Sequence, residues 1–172
     1  ETQNKQSLHN DLTNWKPFIN PLRLQIIGGE PLLFKNLSSL IYTAKNAFPK
    51  ANLSLFSNGL LLKKNLHLLQ VFKDTKCKLI ISKHSNDKRY EKLLEENIKS
   101  FIGDYANYEI KYPSVTFAKT FRKDNFTFEL RNMSNHWAKM YDDGIKPFNS
   151  DYIKAHNVCM WSHCTRLYRG KL

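Results

Sequence analysis

The chain has 172 residues, of which 41% are hydrophobic, and a formal net charge of +12 at pH 7 from 27 Lys and Arg against 15 Asp and Glu. This composition supports one domain with a buried core and the beginning of a second. Apolar runs of only a few residues, such as 60–62, exclude a transmembrane helix. The basic excess is mostly scattered lysine, which favours a solvated surface over a nucleic-acid partner.

The cysteine count and the two ends of the chain are also informative. An odd, sparse set of three cysteines argues against a secreted disulfide framework and favours a reducing, cytoplasmic location. The chain starts at Glu1 without a signal peptide, and the segment 169–172 does not resemble a finished terminus. We therefore expect a fragment of a longer protein.

Short apolar segments alternate with amphipathic ones in the first two-thirds of the chain. This order, with strand starts about 25 to 30 residues apart, is typical of βα units and a parallel sheet, so the predicted fold class is α/β. Asn36 and Asn65 are candidate N-caps. The predicted helices are 1–20, 36–48, 64–73 and 90–102, and the predicted strands are 22–27, 52–57, 78–82 and 107–112.

The pattern weakens beyond residue 113. Alternating aromatic residues from Phe117 to Phe128 suggest further strands, and 142–151 is predicted to be a loop. The segment 156–164 concentrates two His and two Cys. Trp137 and Tyr141, at helical spacing, are explained at least as well by core packing as by substrate stacking.

Ligands of parallel α/β folds bind beyond the carboxyl ends of the strands. This rule selects three segments, 28–31, 57–59 and 82–84, which would share one edge of the sheet. In the first, two glycines permit close backbone approach, and Glu30 with nearby carbonyls can accept hydrogen bonds from an ammonium group. Pro31 fixes the segment that follows. Taken alone, the segment is better explained as a tight turn with a solvent-facing Glu.

The other two segments carry polar side chains. Ser57 and Asn58 could bond the carboxylate or hydroxyls of a ligand, although Asn-Gly is also a common turn. Ser82 could contact the same ligand. His84 is better explained as an exposed loop residue than as a base.

The combination of GGEP at 28–31 with Ser57-Asn58-Gly59, in a strand–helix–strand context over residues 22–112, resembles the core of radical S-adenosylmethionine (radical SAM) enzymes. The resemblance implies a partial parallel (β/α) barrel whose first strand is missing. It implies a [4Fe–4S] cluster whose reduced form cleaves S-adenosylmethionine to a 5′-deoxyadenosyl radical, which abstracts hydrogen from an unidentified substrate. An electron donor such as flavodoxin or ferredoxin would supply the electron.

The resemblance also implies roles for individual residues. Gly28, Gly29 and Glu30, followed by Pro31, would hold the methionyl amino group of S-adenosylmethionine. The candidates for its carboxylate and ribose are Ser57, Asn58 and Ser82. No residue is assigned a catalytic role.

The chain departs from the family in one respect. The cluster loop CxxxCxxC normally precedes the GGEP motif, yet no cysteine occurs before Cys77. We expect the loop to lie upstream of Glu1, so the 172 residues alone should be inactive. The alternative is a non-catalytic module of the same fold, binding nucleic acid through its basic surface.

The segment 159–172 resembles the start of a cysteine-rich extension of the SPASM or twitch type. This resemblance predicts a core over 1–130 and an extension over 131–172. Cys159 and Cys164 would be the first ligands of an auxiliary Fe–S cluster. Plain thiols are the next alternative, and a zinc site completed by His156 and His163 the third. Cys77 is predicted to be a small buried hydrophobe.

Overall fold

A computed structural model describes residues 5–111 and 118–133, which form a mixed α/β unit. The helices are α1 (Lys5–Trp15), α2 (Leu37–Ala47), α3 (Leu68–Thr75) and α4 (Lys88–Ile102). The strands are β1 (Arg23–Ile26), β2 (Asn52–Ser57), β3 (Lys78–Lys83), β4 (Glu109–Lys111), β5 (Ala118–Lys123) and β6 (Phe126–Asn132). Short 3₁₀ helices cover Pro31–Leu33, Leu62–Lys64 and Tyr105–Asn107.

The six described strands form one sheet in the order β1-β2-β3-β6-β5-β4. Strands β1, β2, β3 and β6 are parallel, with Leu24 opposite Leu53, Leu55 opposite Leu79, and Leu79 opposite Phe128. Strand β5 runs antiparallel to β6, and β4 antiparallel to β5. The predicted α/β class is confirmed, and the sheet is parallel over four of its strands.

The predicted strand at 107–112 is present as β4, but it is not the next parallel strand. It lies at the far edge of the sheet, and β6 takes the place beside β3. A two-residue turn at 124–125, with Asp124 at φ 53°, joins β5 to β6, and so short a connection makes the two strands antiparallel. The rings of Phe121 and Phe128 stack at 4.5 Å between centroids, which helps to fix the register of the pair.

The predicted helices at 36–48 and 90–102 are confirmed as α2 and α4, and α1 lies within the predicted 1–20. The helix predicted at 64–73 starts late, at Leu68, after a short 3₁₀ helix. The residue at the N-cap position of α3 is His67, whose side chain makes no capping hydrogen bond, so Asn65 is not the cap. The side-chain amide of Asn65 donates to the carbonyls of Leu32 and Leu61, at 3.3 and 3.0 Å.

The described helices all pack into one hydrophobic cluster on a single face of the sheet. Sheet residues of this cluster alternate along their strands, as in the pairs Leu53 and Leu55, and Leu79 and Ile81. The intervening residues project from the opposite side, here called the second face. In the three central strands the second face carries Ser54, Phe56, Lys78, Ile80, Ser82, Thr127, Glu129 and Arg131. Within the described ranges, no helix is long and apolar enough to cross a membrane.

Cys77 is 1% exposed, so the prediction of a buried small hydrophobe is confirmed. Burial raises the pKa of its thiol from 9.0 to about 12, which leaves it protonated and unreactive at neutral pH. The other cysteine predictions lie outside the described residues. So do the tail predictions built on His156, His163, Trp137, Tyr141 and the loop 142–151.

Candidate functional site

The three predicted segments lie at the same edge of the sheet, where the parallel strands end. Ile26 of β1 lies opposite Leu55 of β2, and Ser57 lies opposite Ile81 of β3. A fourth strand end, that of β6, joins them, because Met133 N donates a 2.7 Å hydrogen bond to the carbonyl of Lys83. We call this edge the rim. It comprises residues 28–31, 57–59, 82–84 and 131–133.

Glu30 joins the first two segments of the rim directly. Its Oε1 accepts hydrogen bonds from the Ser57 hydroxyl at 2.8 Å and from Leu32 N at 3.0 Å. Its Oε2 accepts from Asn58 N at 2.9 Å. Glu30 therefore caps the 3₁₀ helix Pro31–Leu33 and ties it to the end of β2. A carboxylate offers about four acceptor positions, of which the described residues use three, so one position on Oε2 remains for a ligand donor.

Ser57 and Asn58 also take part in this internal network. Ser57 is buried, and its hydroxyl accepts from Gly59 N at 2.9 Å while donating to Glu30. Its one proton is thus committed, and a ligand could use only its remaining acceptor position. Asn58 Oδ1 accepts from Leu60 N at 2.9 Å. The side-chain N–H groups of Asn58 are the part that could donate to a ligand.

Gly59 gives the second segment its shape. Its φ is +77°, and a Cβ at this position would lie 2.7 Å from Leu94 Cδ1 and 3.0 Å from Ile81 Cγ2. Both the backbone conformation and the space require glycine here. The Asn-Gly turn is therefore packed against β3 and α4, which fixes the position of Asn58.

The glycine pair before Glu30 has a different environment. Gly28 and Gly29 are exposed, and a Cβ on either would meet no atom of the described ranges within 4 Å. The φ of +134° accounts for glycine at position 28. Gly29 has neither a positive φ nor a close neighbour, so nothing in the described protein requires glycine there. A ligand that approaches the backbone closely would require it.

The third segment contributes Ser82, which is half-buried and lies opposite Arg131 of β6. The neighbouring Lys83 is engaged in an ion pair with Glu91 of α4. His84 is exposed, as predicted for a loop residue. Of this segment, Ser82 therefore has the position that suits a ligand contact.

Sequence reasoning missed the charged side chains of β6. Arg131 lies beside Ser82 at the rim, and its guanidinium lies 5.3 Å from the ring centroid of Phe56. Glu129, 6% exposed, pairs with both Arg131 and Lys78. The alternating residues of the segment FTFELRN indicate a strand from the sequence alone. They indicate part of the site only once β6 is known to lie beside β3.

Two further observations limit the chemistry of the described ranges. No group of three or more His, Cys, Asp or Glu in them could hold a metal ion. The exposed surface of α4 mixes both signs of charge, with Lys88, Arg89 and Lys92 followed by Glu95 and Glu96. Such a helix does not form a continuous basic stripe for a phosphate backbone.

Comparison with known proteins adds no family assignment. No protein-family model matches the chain, and no curated protein matches it significantly. The functional assignment therefore depends on the chemistry of the rim.

Proposed function

We propose that this chain is the cofactor-binding part of a radical SAM enzyme, whose rim binds the methionyl end of S-adenosylmethionine. The observation that carries the proposal is the contact between Glu30 and the Ser57-Asn58 segment. The two motifs on which the resemblance depends are far apart in the chain, and they form one hydrogen-bonded unit at the edge where α/β folds bind ligands.

The polar groups of the rim are suited to an amino acid. Exposed backbone at Gly28 and Gly29, with the remaining acceptor position of Glu30, supplies acceptors for an ammonium group. Across the rim, Arg131 and Ser82 supply donors for a carboxylate. An amino acid carries both groups, so the rim offers partners for the ammonium and for the carboxylate of a ligand of this class.

The winding of the sheet supports a partial (β/α) barrel. Strands β1, β2 and β3 are consecutive neighbours, and the described helices pack on one face. When each right-handed crossover leads to the next strand in the same direction across the sheet, all of the crossover helices lie on one face of the sheet, as in a barrel. A doubly wound sheet would instead reverse its strand order and carry helices on both faces.

The described residues do not fit the iron–sulfur cluster. Cys77 is buried just before β3, at the opposite end of that strand from the rim, and its raised pKa disfavours the thiolate that iron requires. No catalytic step follows from these residues alone. The proposal requires a CxxxCxxC loop elsewhere in the full-length protein.

The remaining parts of the proposal concern the whole protein. Cys159 and Cys164 are proposed ligands of an auxiliary Fe–S cluster in a C-terminal extension. A flavodoxin or ferredoxin would donate the electron, the substrate is unidentified, and the proposed location is the cytoplasm. When bound, the cluster and S-adenosylmethionine supply the radical chemistry, while the protein positions them and excludes water.

The test uses the full-length protein, purified and reconstituted with iron and sulfide under anaerobic conditions. We expect a brown [4Fe–4S] protein that releases 5′-deoxyadenosine from S-adenosylmethionine when dithionite is added. A colourless protein that releases none would contradict the proposal and favour a non-catalytic module. In that case, binding to a labelled oligonucleotide that weakens steeply with salt would identify nucleic acid as its partner.

A further inference from the structure

Glu129 is a buried carboxylate on the second face of the sheet. It is 6% exposed and lies opposite Ile80 of β3 and Thr120 of β5. Removing a carboxylate from water is costly unless ion pairs and hydrogen bonds compensate. The contacts of Glu129 are therefore the reason that the fold can retain it.

Each oxygen of Glu129 contacts a different cation. Oε2 accepts from Lys78 Nζ at 3.3 Å, and Oε1 accepts from Arg131 Nε. The side chain of Lys78 is 40% exposed, whereas that of Arg131 is 24% exposed. The contact with Arg131 is thus the more shielded from solvent, and it engages the inner nitrogen of the guanidinium.

Two contacts fix the direction of Arg131. Glu129 holds Nε, and the guanidinium lies over the ring of Phe56, two strands away on β2. An arginine has five N–H donors in a planar fork, of which the Nε contact uses one. No described residue uses the terminal N–H groups, which leaves them for an incoming anion beside Phe56, the residue that immediately precedes Ser57 of the rim.

We propose that Glu129 is a positioning residue, which holds Arg131 so that its terminal N–H groups bind the carboxylate of the ligand. This inference rests on the proposed function, because it assigns the carboxylate to S-adenosylmethionine. Glu129 touches no ligand itself. Its substitution should therefore weaken only ligands that carry the carboxylate.

The experiment measures dissociation constants of the full-length reconstituted protein for S-adenosylmethionine and for its decarboxylated form, which keeps the amino group, sulfonium and adenosine. In Glu129→Gln we expect about tenfold weaker binding of S-adenosylmethionine, the scale of one charge-assisted hydrogen bond. Binding of the decarboxylated form should change by less than about twofold. Glu129→Asp, which keeps the charge but withdraws it from Nε, should show the same selectivity if Glu129→Gln fails to fold.

Lys78→Met is the matched control, since it removes the other partner of the same carboxylate and leaves the Arg131 contact. It should leave the ratio of the two dissociation constants unchanged. Equal losses for both ligands in the Glu129 variants, or no loss, would overturn the positioning role alone. A wild-type protein that binds neither ligand would overturn the proposed function and this inference together.

Discussion

The hydroxyl of Ser57 donates a 2.8 Å hydrogen bond to the carboxylate of Glu30, 27 residues earlier in the chain. This contact joins the loop after β1 to the end of β2, and the bond from Asn58 N to the same carboxylate strengthens the junction. Glu30 therefore has two roles in the rim. It fixes the relative position of two loops, and the acceptor position that no described residue uses is the one proposed for a ligand.

Replacing Glu30 with Gln should destabilise the protein. An amide of the same shape has one acceptor oxygen, so its NH₂ group would face one of the three donors that now contact the carboxylate. We expect a loss of about 2 kcal/mol in the free energy of unfolding, measured with urea. The control is Glu96→Gln on the exposed surface of α4, expected to stay within about 0.5 kcal/mol of wild type. Equal effects of the two substitutions would contradict the bridging role.

Gly59 combines a positive φ with crowding. Its φ is +77°, and a Cβ at this position would meet Leu94 and Ile81. We expect Gly59→Ala to cost about 1–3 kcal/mol of unfolding free energy, since overpacking adds to strain. Urea unfolding of the variant and of wild type measures the loss. A variant as stable as wild type would show that space at Gly59 is not limiting.

Gly29→Ala tests whether the rim binds a ligand at its backbone. The added methyl group meets no atom of the described residues within 4 Å, so the free energy of unfolding should stay within about 0.5 kcal/mol of wild type. Binding of S-adenosylmethionine by the full-length protein should weaken at least about tenfold, because the methyl group would occupy the ligand's space. Isothermal titration and urea unfolding provide the two readouts. Unchanged affinity would place the ligand away from Gly29.

The thiol of Cys77 should make stability fall in alkaline solution. Its folded pKa, about 12, is above its ordinary value of 9.0, so the folded state retains the proton that the unfolded state loses between these values. The contribution of Cys77 to the free energy of unfolding is therefore fully present below about pH 9, and it is lost as the pH rises from there towards 12. Urea unfolding of wild type and Cys77→Ala from pH 8 to 10.5 isolates this contribution, since other groups titrate in both proteins. Parallel pH profiles would contradict it.

Tyr42 and Asp74 link α2 to α3 on the surface, with a 2.7 Å hydrogen bond from the phenol to Asp74 Oδ2. This bond is the main cause that lowers the pKa of Asp74, and the bond from Gln70 is the second. Tyr42→Phe should therefore raise the pKa of Asp74 towards 3.8, and Gln70→Ala should raise it less. Carboxyl NMR titration measures both. Because the pKa is lowered, any stabilisation is present at neutral pH and is lost as acid protonates Asp74.

Local sequence signals predicted much of this fold. The apolar runs that became β2 and β3, and the stripe that became α4, combine strong periodicity with clear boundaries. The first three segments of the rim were predicted to share one edge of the sheet, because parallel strands bring their carboxyl ends together. Those predictions depended only on residues that are close to one another in the sequence.

The predictions that failed depended on contacts between distant residues. Asn65 resembles a helix cap by type, but its amide donates to the carbonyl of Leu32 in another loop, and α3 begins only at Leu68. The strand β4 has the spacing of a βα unit, yet β6 lies beside β3, and β4 lies at the far edge of the sheet. Arg131 and Glu129 were missed for the same reason, since nothing local to the segment 126–132 indicates its neighbour in the sheet.

The position of β6 also has a consequence for the order of folding. The pairs β1–β2 and β2–β3 each close over one helix, whereas β3 reaches β6 only across α4 and the β4–β5 segment. Closing the longer loop costs more chain entropy and should occur later. The side of the rim that contains Glu30 would then form early, and Arg131 would join the sheet last, with β6. A folding intermediate without β6 would retain the acceptors proposed for an ammonium group but lack the arginine proposed to bind a carboxylate.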